Sequence, residues 1–179
     1  MRQEAYMGTT DNLRDQFDFR SIRAEETDES IEIERICFPP NEACSAEHMR
    51  ERAEAATDLF LVAIDRGNGK MAGFLTGIAT DETVFRDDFF TDIALHDNRG
   101  GHVMLLSLNV RPEYRGRGLA RALLQVYRER EEQNGRKALH LTCHTEKLPM
   151  YEKMGFRDQG LSASVWGGGS WNDMEMVIG

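Results

Sequence analysis

The sequence predicts a mixed α/β fold in which helices cover both faces of one central sheet. The apolar pattern runs in the order strand, two helices, hairpin, strand, helix, strand, helix, hairpin. The strand–helix–strand units of the second half imply a parallel pair of central strands, whereas the hairpins imply antiparallel neighbours. Together these two features predict a mixed sheet.

The first strand and two helices occupy the N-terminal part of the chain. FDFRSIR (17–23) alternates apolar and polar residues, as a short strand does. Thr27 or Asp28 can cap a helix, which must stop at Pro39-Pro40 because proline lacks the backbone donor and clashes with the preceding turn. Ser45 can cap the second helix.

A hairpin and a long connection follow. Residues 59–64 and 71–80 are apolar strands, and Asn68-Gly69 between them is a strong hairpin signal. Residues 81–101 are charged and rich in aromatic residues. We expect them to form a long surface excursion, and such loops are often functional.

The second half supplies the central strands. Residues 103–110 are apolar on both faces, which is typical of a central strand buried on both sides. The helix after Gly118 carries an apolar stripe and ends at Asn134-Gly135. Another buried strand spans 138–143.

The chain closes with a short helix and a second hairpin. LPMYEKM forms the helix, and Gly155 is its C-terminal stop. The remainder is predicted to form two strands around Gly167-Gly168-Gly169.

Composition and charge exclude several classes of protein. Lys+Arg number 22 and Asp+Glu 31, a net charge of −9, which repels a polyanionic backbone, so we expect no nucleic-acid partner. No apolar run approaches the roughly 20 residues of a membrane helix, and the N-terminus does not resemble a secretory signal. We expect a cytoplasmic monomer or homodimer with no membrane partner.

We also expect a loose segment over 1–16 and a single domain over 17–179.

The most specific motif is NVRPEYRGRGLARALL (109–124). A buried strand ends, and a long helix begins beside the glycines Gly116 and Gly118. Glycine lets a ligand approach the backbone, and the unpaired N–H groups and dipole of a helix N-terminus bind anions such as pyrophosphate. A basic loop that only caps the helix, or one that contacts nucleic acid, are the alternatives. The patterns GxGxxG and GK[ST] are both absent here.

Arg115-Gly116-Arg117-Gly118-Leu119-Ala120 resembles the R/Q-x-x-G-x-G/A signature of the GNAT superfamily of N-acetyltransferases. Within that superfamily the chain resembles the arylalkylamine (serotonin) N-acetyltransferase branch. The resemblance is densest in ALHDNRGGHVMLLSLNVRPEYRGRGLARALL and in LTCHTEKLPMYEKMGF, and it continues to WNDMEM.

This resemblance implies a sheet that is splayed open between strands 103–110 and 138–143, where acetyl-CoA enters. It implies that the backbone of Leu108, Asn109 and Val110 pairs with the pantetheine arm. An N–H near Leu108 would polarise the thioester carbonyl. The resemblance implies that the pyrophosphate is bound by Arg115 and by the main-chain amides of Gly116, Arg117, Gly118, Leu119, Ala120 and Arg121.

Tyr151, in PMYEKMGF, stands at the position of the family's general acid. A phenol keeps its proton at neutral pH and can protonate a departing thiolate. Without the resemblance, a half-buried packing aromatic would be the better interpretation.

The general base of the resembled branch is absent. Two histidines precede the signature in the serotonin-acetylating enzymes, but Met104 and Leu106 occupy those positions here. Neither side chain can accept a proton, so the base stays unassigned. The histidines that the chain does carry do not form a recognisable ligand set, and we expect no metal.

The acceptor pocket is predicted from the loop CFPPNEACS (37–45). The resemblance implies a lid there, and a plain helix–helix connection is the alternative. Phe38 and Pro39 would form an apolar wall, and Glu42 would hold a cation. The remaining candidates are Leu106, Met150 and Trp166.

We therefore expect an acetyl-CoA-dependent N-acetyltransferase that acts on a small primary amine, either an aryl- or alkylamine or a polyamine. One alternative is a protein N-terminal or lysine acetyltransferase, which needs an open groove. The other is a non-catalytic acyl-CoA-binding sensor, which has no use for a thiolate acid.

Overall fold

The computed structural model describes residues 10–179. Its seven strands form one sheet in the order β1-β2-β3-β4-β5-β7-β6. All pairs are antiparallel except β4 and β5, which are parallel. The predicted mixed sheet is confirmed. The strands are β1 Phe17–Ser21, β2 Phe60–Asp65, β3 Met71–Thr80, β4 His102–Val110, β5 Ala138–Cys143, β6 Arg157–Leu161 and β7 Asn172–Val177.

Six helices accompany the sheet in the described part of the chain. They are α1 (described over 10–16), α2 Thr27–Cys37, α3 Ala46–Ala55, α4 Asp88–Thr91, α5 Leu119–Gln133 and α6 Leu148–Lys153. Ser45 caps α3 by accepting a hydrogen bond from the His48 amide, as predicted. Within residues 10–179, no helix is long and apolar enough to cross a membrane.

Alternate residues of β2 show why helices cover both faces. Phe60, Val62 and Ile64 pack in one cluster with residues of α2 and α3, including Ile33 and Met49. The residues between them, Leu61 and Ala63, pack in a second cluster with residues of α5 such as Leu123 and Tyr127. Since successive side chains of a strand point to opposite faces, each face of the sheet has its own apolar cover.

The predicted loose segment 1–16 differs from the structure over 10–16, which form α1, while residues 1–9 lie outside the described part. Leu13 is buried in the main core. Thr10 donates a hydrogen bond to Gln125, and Arg14 pairs with Glu129. These contacts fix α1 against α5, so long-range packing decides the conformation of a segment whose own sequence shows no periodicity.

Residues 81–101 form the predicted surface excursion, and two of its aromatic residues anchor it to the core. Phe85 and Phe89 are each 2% exposed and belong to the core. Asp87 accepts hydrogen bonds from the Ser164 hydroxyl and the Val165 amide, so the segment is joined to the β6–β7 loop. The aromatic residues form its buried side and the charged residues its solvated side.

The central opening of the sheet arises where β4 and β5 part. Only three positions pair, and the last is Met104 with His140. Leu106, two residues farther along β4, has no partner on β3, because Gly77 pairs with Leu105 and Thr76 with Ser107. This bulge bends β4, and the two strands diverge beyond it. The splayed sheet implied by the family resemblance is therefore present.

Candidate active site

A cavity of about 660 Å³ lies where β4 and β5 separate, and we call it the cleft. It extends from the start of α5 to the loop between α2 and α3. Most of the predicted site residues line it: Phe38, Glu42, Leu106, Leu108, Val110, Arg115, Gly116, Gly118, Leu119, Ala120, Arg121, Met150, Tyr151 and Trp166. The structure brings these residues together from five separate segments of the chain.

Three predicted residues do not line the cleft. Pro39 and Arg117 are outside its lining. Asn109 is 1% exposed, and its side-chain amide donates to Glu34 at 3.0 Å. Asn109 can therefore face the cleft only through its backbone.

One end of the cleft has the geometry of an anion site. Gly116 and Gly118 adopt φ angles of 78° and 84°, which favour glycine. Gly118 is the N-cap of α5, and no side chain caps this helix end. A Cβ at Gly116 would meet nothing within 4 Å, so the space beside it is open. An uncapped helix N-terminus beside open space fits a pyrophosphate.

The two arginines of the signature lie differently from each other. The Arg115 Nε donates to the Val110 carbonyl at 3.1 Å, and its Nη2 lies 3.6 Å from the Cys37 sulfur. Arg117 lies over the Tyr114 ring, 5.4 Å from its centroid. Arg115 thus adds positive charge at the cleft wall, whereas Arg117 covers the outside of the turn.

Tyr151 stands on α6, at the side of the cleft opposite β4. Its ring packs edge-on against Phe156, with centroids 5.8 Å apart. Burial, together with the neighbouring Cys143 thiol, raises the pKa of the Tyr151 phenol above its usual value. The phenol therefore remains protonated at neutral pH and can act as a proton donor.

The histidines near β4 do not replace the missing base. His102 lies at the start of β4, and its Nδ1 is 2.8 Å from His140 Nε2. Burial lowers the pKa of His140 to about 4, so this histidine is neutral at physiological pH. Neither histidine lines the cleft, and Met104 is completely buried. Within residues 10–179, no cluster of His, Cys, Asp and Glu could hold a metal ion.

Glu34 is a cleft residue that the sequence analysis missed. It lies on α2 and is 2% exposed. Its Oε1 accepts from the Ser107 hydroxyl at 2.8 Å and from Asn109, and its Oε2 accepts from the Cys44 amide. Glu34 follows Ser30 by four residues and Ile31 by three, so a charged residue interrupts the buried stripe of α2. That interruption is the sequence signal that could have identified it.

All the donors to Glu34 are neutral, so its charge lacks a direct counter-ion. The salt bridges of the described residues do not include Glu34. Buried Arg52 interacts with Glu34 electrostatically, and its Nη2 donates to the Phe90 carbonyl at 2.9 Å. A buried carboxylate without an ion pair is expensive, so a cationic ligand in the cleft would stabilise it.

The end of the cleft away from α5 has aromatic walls. Phe38, Phe90, Trp166 and Trp171 line it, and the Phe90 and Trp166 rings lie 4.5 Å apart. Glu42 also lies here, but its Oε1 is 2.8 Å from His144 Nε2. We expected Glu42 to hold the cation of the acceptor. In the structure its carboxylate is already paired with His144, so an acceptor cation would have to compete with that histidine.

Replacing Gly116 with alanine tests the anion site. The left-handed φ angle should cost about 1 kcal/mol of stability, and the new methyl group should lower coenzyme A affinity at least tenfold in a calorimetric titration. Gly135→Ala is a matched control, because Gly135 has the same φ of 78° and open space around it at the other end of α5. Equal loss of affinity in both variants would contradict this site.

Comparison with solved structures places the fold among known proteins. A GNAT-like decarboxylase, GphF, in complex with isobutyryl-CoA aligns with a TM-score of 0.78 and 17% identity, covering 90% of this chain and 100% of that one. The ribosomal-protein-S18-alanine N-acetyltransferase from Escherichia coli aligns with a TM-score of 0.65 and 19% identity over 90% and 94%. The phosphinothricin acetyltransferase from Sinorhizobium meliloti aligns with a TM-score of 0.63 and 21% identity over 92% and 89%. At these identities the likeness shows the fold.

Sequence comparison identifies the family. The profile of the acetyltransferase (GNAT) family matches residues 24–156, which is most of the chain. No curated protein matches significantly. The matched region contains β4, the turn at the start of α5 and Tyr151, which together form most of the cleft. The chain therefore belongs to the acetyltransferase (GNAT) family and is an acetyltransferase that uses acetyl-CoA.

Proposed function

We propose that the protein transfers the acetyl group of acetyl-CoA to a small primary amine, either an aryl- or alkylamine or a polyamine. The observation that carries this proposal is that the buried Glu34 carboxylate and the Tyr151 phenol line one cleft with the anion site of α5. The pair supplies a proton acceptor and a proton donor on the two walls of the same space.

The charge along the cleft favours an amine acceptor. The α5 end carries Arg115, Arg121 and the helix dipole, which suit a pyrophosphate. Farther from α5, Glu34 supplies negative charge from α2, where it contacts Ser107 of β4. A protonated amine completes an ion pair there, whereas an anionic acceptor would be repelled by the carboxylate.

The arrangement of side chains supports direct transfer. Bound acetyl-CoA supplies the acetyl thioester. The Ser107 hydroxyl, which donates to Glu34, can accept a proton from the amine and pass its own to the carboxylate. The freed lone pair forms the new C–N bond while the C–S bond breaks, and Tyr151 donates its proton to the departing sulfur. The second proton that the nitrogen loses restores the Tyr151 phenol, so the products are the neutral amide and the thiol, with the first proton left on Glu34. An N–H of β4 near Leu108 would stabilise the developing oxyanion.

The walls of the cleft favour a small acceptor. Aromatic rings surround the acceptor end, and hydrogen bonds join the loop after α2 to the β6–β7 loop above it. A protein N-terminus or lysine side chain, the enzymatic alternative, requires an open groove. Against the alternative of a non-catalytic sensor, Tyr151 is retained in a position where a binder has no use for an acid.

A screen of amines and short peptides with acetyl-CoA tests the proposal, with released thiol as the readout. We expect turnover with phenylethylamine, with an alkylamine or with spermidine, and at least tenfold lower kcat/KM for peptides. Peptide acetylation without amine acetylation would favour the protein-modifying alternative. Tight coenzyme A binding without any turnover would favour the sensor.

Tyr151→Phe should lower kcat by about 10²-fold or more, since general acid catalysis contributes that much, and should leave the Kd for coenzyme A within twofold. The ring and its packing on Phe156 remain. Tyr127→Phe is the control, because it removes a buried hydroxyl that donates to the Leu59 carbonyl outside the cleft. That variant should lose stability and keep its kcat. Full turnover in Tyr151→Phe would exclude the acid role.

Glu34→Gln should reduce kcat/KM for the amine by about 10²-fold or more, with unchanged coenzyme A affinity. The amide has the size of the carboxylate but no charge, so it neither pairs with an ammonium nor accepts its proton. Glu29→Gln, a change on the same helix outside the cleft, is the control. A result in which both variants keep wild-type kcat/KM would remove Glu34 from the mechanism.

A further inference from the structure

The acceptor end of the cleft is closed by contacts between two loops. We call residues 38–45 the acceptor loop and residues 162–171 the aromatic loop. Asn41 Nδ2 donates to the Gly167 carbonyl at 3.0 Å, and Trp166 Nε1 donates to the Glu42 carbonyl at 2.9 Å. His144, at the end of β5, adds the contact with Glu42 Oε1. The loops are distant in sequence, and these bonds join them over the opening.

His144 is held between two hydrogen-bond acceptors. Its Nε2 lies 2.8 Å from the Glu42 carboxylate, and its Nδ1 lies 3.2 Å from the Ser170 carbonyl. Neither partner can donate a proton to the ring. Both contacts are therefore hydrogen bonds only when the two ring nitrogens each carry a proton, which is the imidazolium form.

The surroundings of His144 favour this cation. Burial lowers its pKa, but the hydrogen bonds to Glu42 and Ser170 and the charges of Glu42 and Glu146 outweigh burial, so the net pKa is raised. Burial raises the pKa of neighbouring Cys143 to about 11, so its thiol carries no charge at neutral pH. Lys147, on the turn that follows, is a cationic residue that also lines the cleft.

The ring also stacks on the aromatic loop. The His144 and Trp171 ring centroids are 3.8 Å apart, with an angle of 22° between the planes. Trp171 Nε1 donates to the Trp166 carbonyl at 2.9 Å. An imidazolium over an indole face gains cation–π attraction, which a neutral imidazole lacks. Protonation thus strengthens three contacts of one side chain at the same time.

We propose that the Glu42–His144 bridge is a gate that sets the size limit of the acceptor site, closed while His144 is a cation and loosened when it is neutral. The predicted effect of the gate on the size of the acetylated amine rests on the proposed function. The structural part of the proposal, a titrating bridge between the two loops, stands independently of that function.

The direction of the pH effect follows from the raised pKa. The bridge is complete below the ordinary histidine pKa of about 6.5, and its contribution is lost as the pH rises through the higher pKa of the folded protein. The gate therefore opens on the alkaline side. Larger amines should gain relative to small ones as the pH increases.

Tryptophan fluorescence tests the bridge without any substrate. The chain has 2 Trp, and both lie in the aromatic loop. We expect an emission change above about pH 6.5 in the wild type, because a stacked imidazolium quenches indole emission. His144→Gln should abolish the change, Glu42→Gln should shift its midpoint to lower pH, and His48→Gln on α3 should leave it unaltered. An identical titration in wild type and His144→Gln would overturn the gate.

Kinetics test the size limit. The ratio of kcat/KM for a hexapeptide with a free N-terminus to that for phenylethylamine should rise at least fivefold in His144→Gln at pH 6.5, and it should rise with pH in the wild type only. An unchanged ratio in a variant that turns over would overturn the size limit. If no amine is acetylated by the wild type while the fluorescence titration follows the expectation, the proposed function fails and the bridge stands.

Discussion

The parting of β4 and β5 after three paired positions is the constraint on which the rest of the site depends. A parallel pair that continued to the end of both strands would fill the space between them with backbone hydrogen bonds. The bulge at Leu106 prevents this, because it bends β4 two residues after Met104, the last residue that pairs with β5. The cleft, the start of α5 and the wall that carries Tyr151 all take their positions from this divergence.

Local patterns in the sequence are sufficient to predict the scaffold and the glycine turn at the start of α5. The apolar run 103–110 identified the central strand, and the glycines of the turn identified the uncapped start of α5. Both features depend on neighbouring residues alone, since backbone conformation and strand burial are encoded within a few positions. Tyr151 was located only through the family resemblance, because a single aromatic on a short helix is otherwise typical of packing.

Long-range contacts decided what the sequence did not reveal. The partners of Glu34 on β4 lie 73 and 75 residues away, and His144 is 102 residues from Glu42. No local periodicity encodes such pairs. The position of the Arg115 guanidinium could not be predicted for the same reason. It contacts the nearby Val110 carbonyl but also the sulfur of Cys37, which is 78 residues away in the sequence. In segment 81–101, likewise, tertiary packing buries Phe85 and Phe89, which the charged composition does not indicate.

The fold alone leaves the chemistry open, because structures with similar TM-scores include a GNAT-like decarboxylase as well as N-acetyltransferases. The two carboxylates that line the cleft bear on which class of acceptor it would attract. Glu42, at the mouth, is paired with His144, whereas Glu34, beside the bulge of β4, accepts only from neutral donors. A cationic acceptor would therefore compete with His144 at Glu42, whereas Glu34 has no salt-bridge partner among the described residues. Under the proposed function, a cationic acceptor that pairs with Glu34 would bring its nitrogen next to Ser107, where the proposed direct transfer requires it.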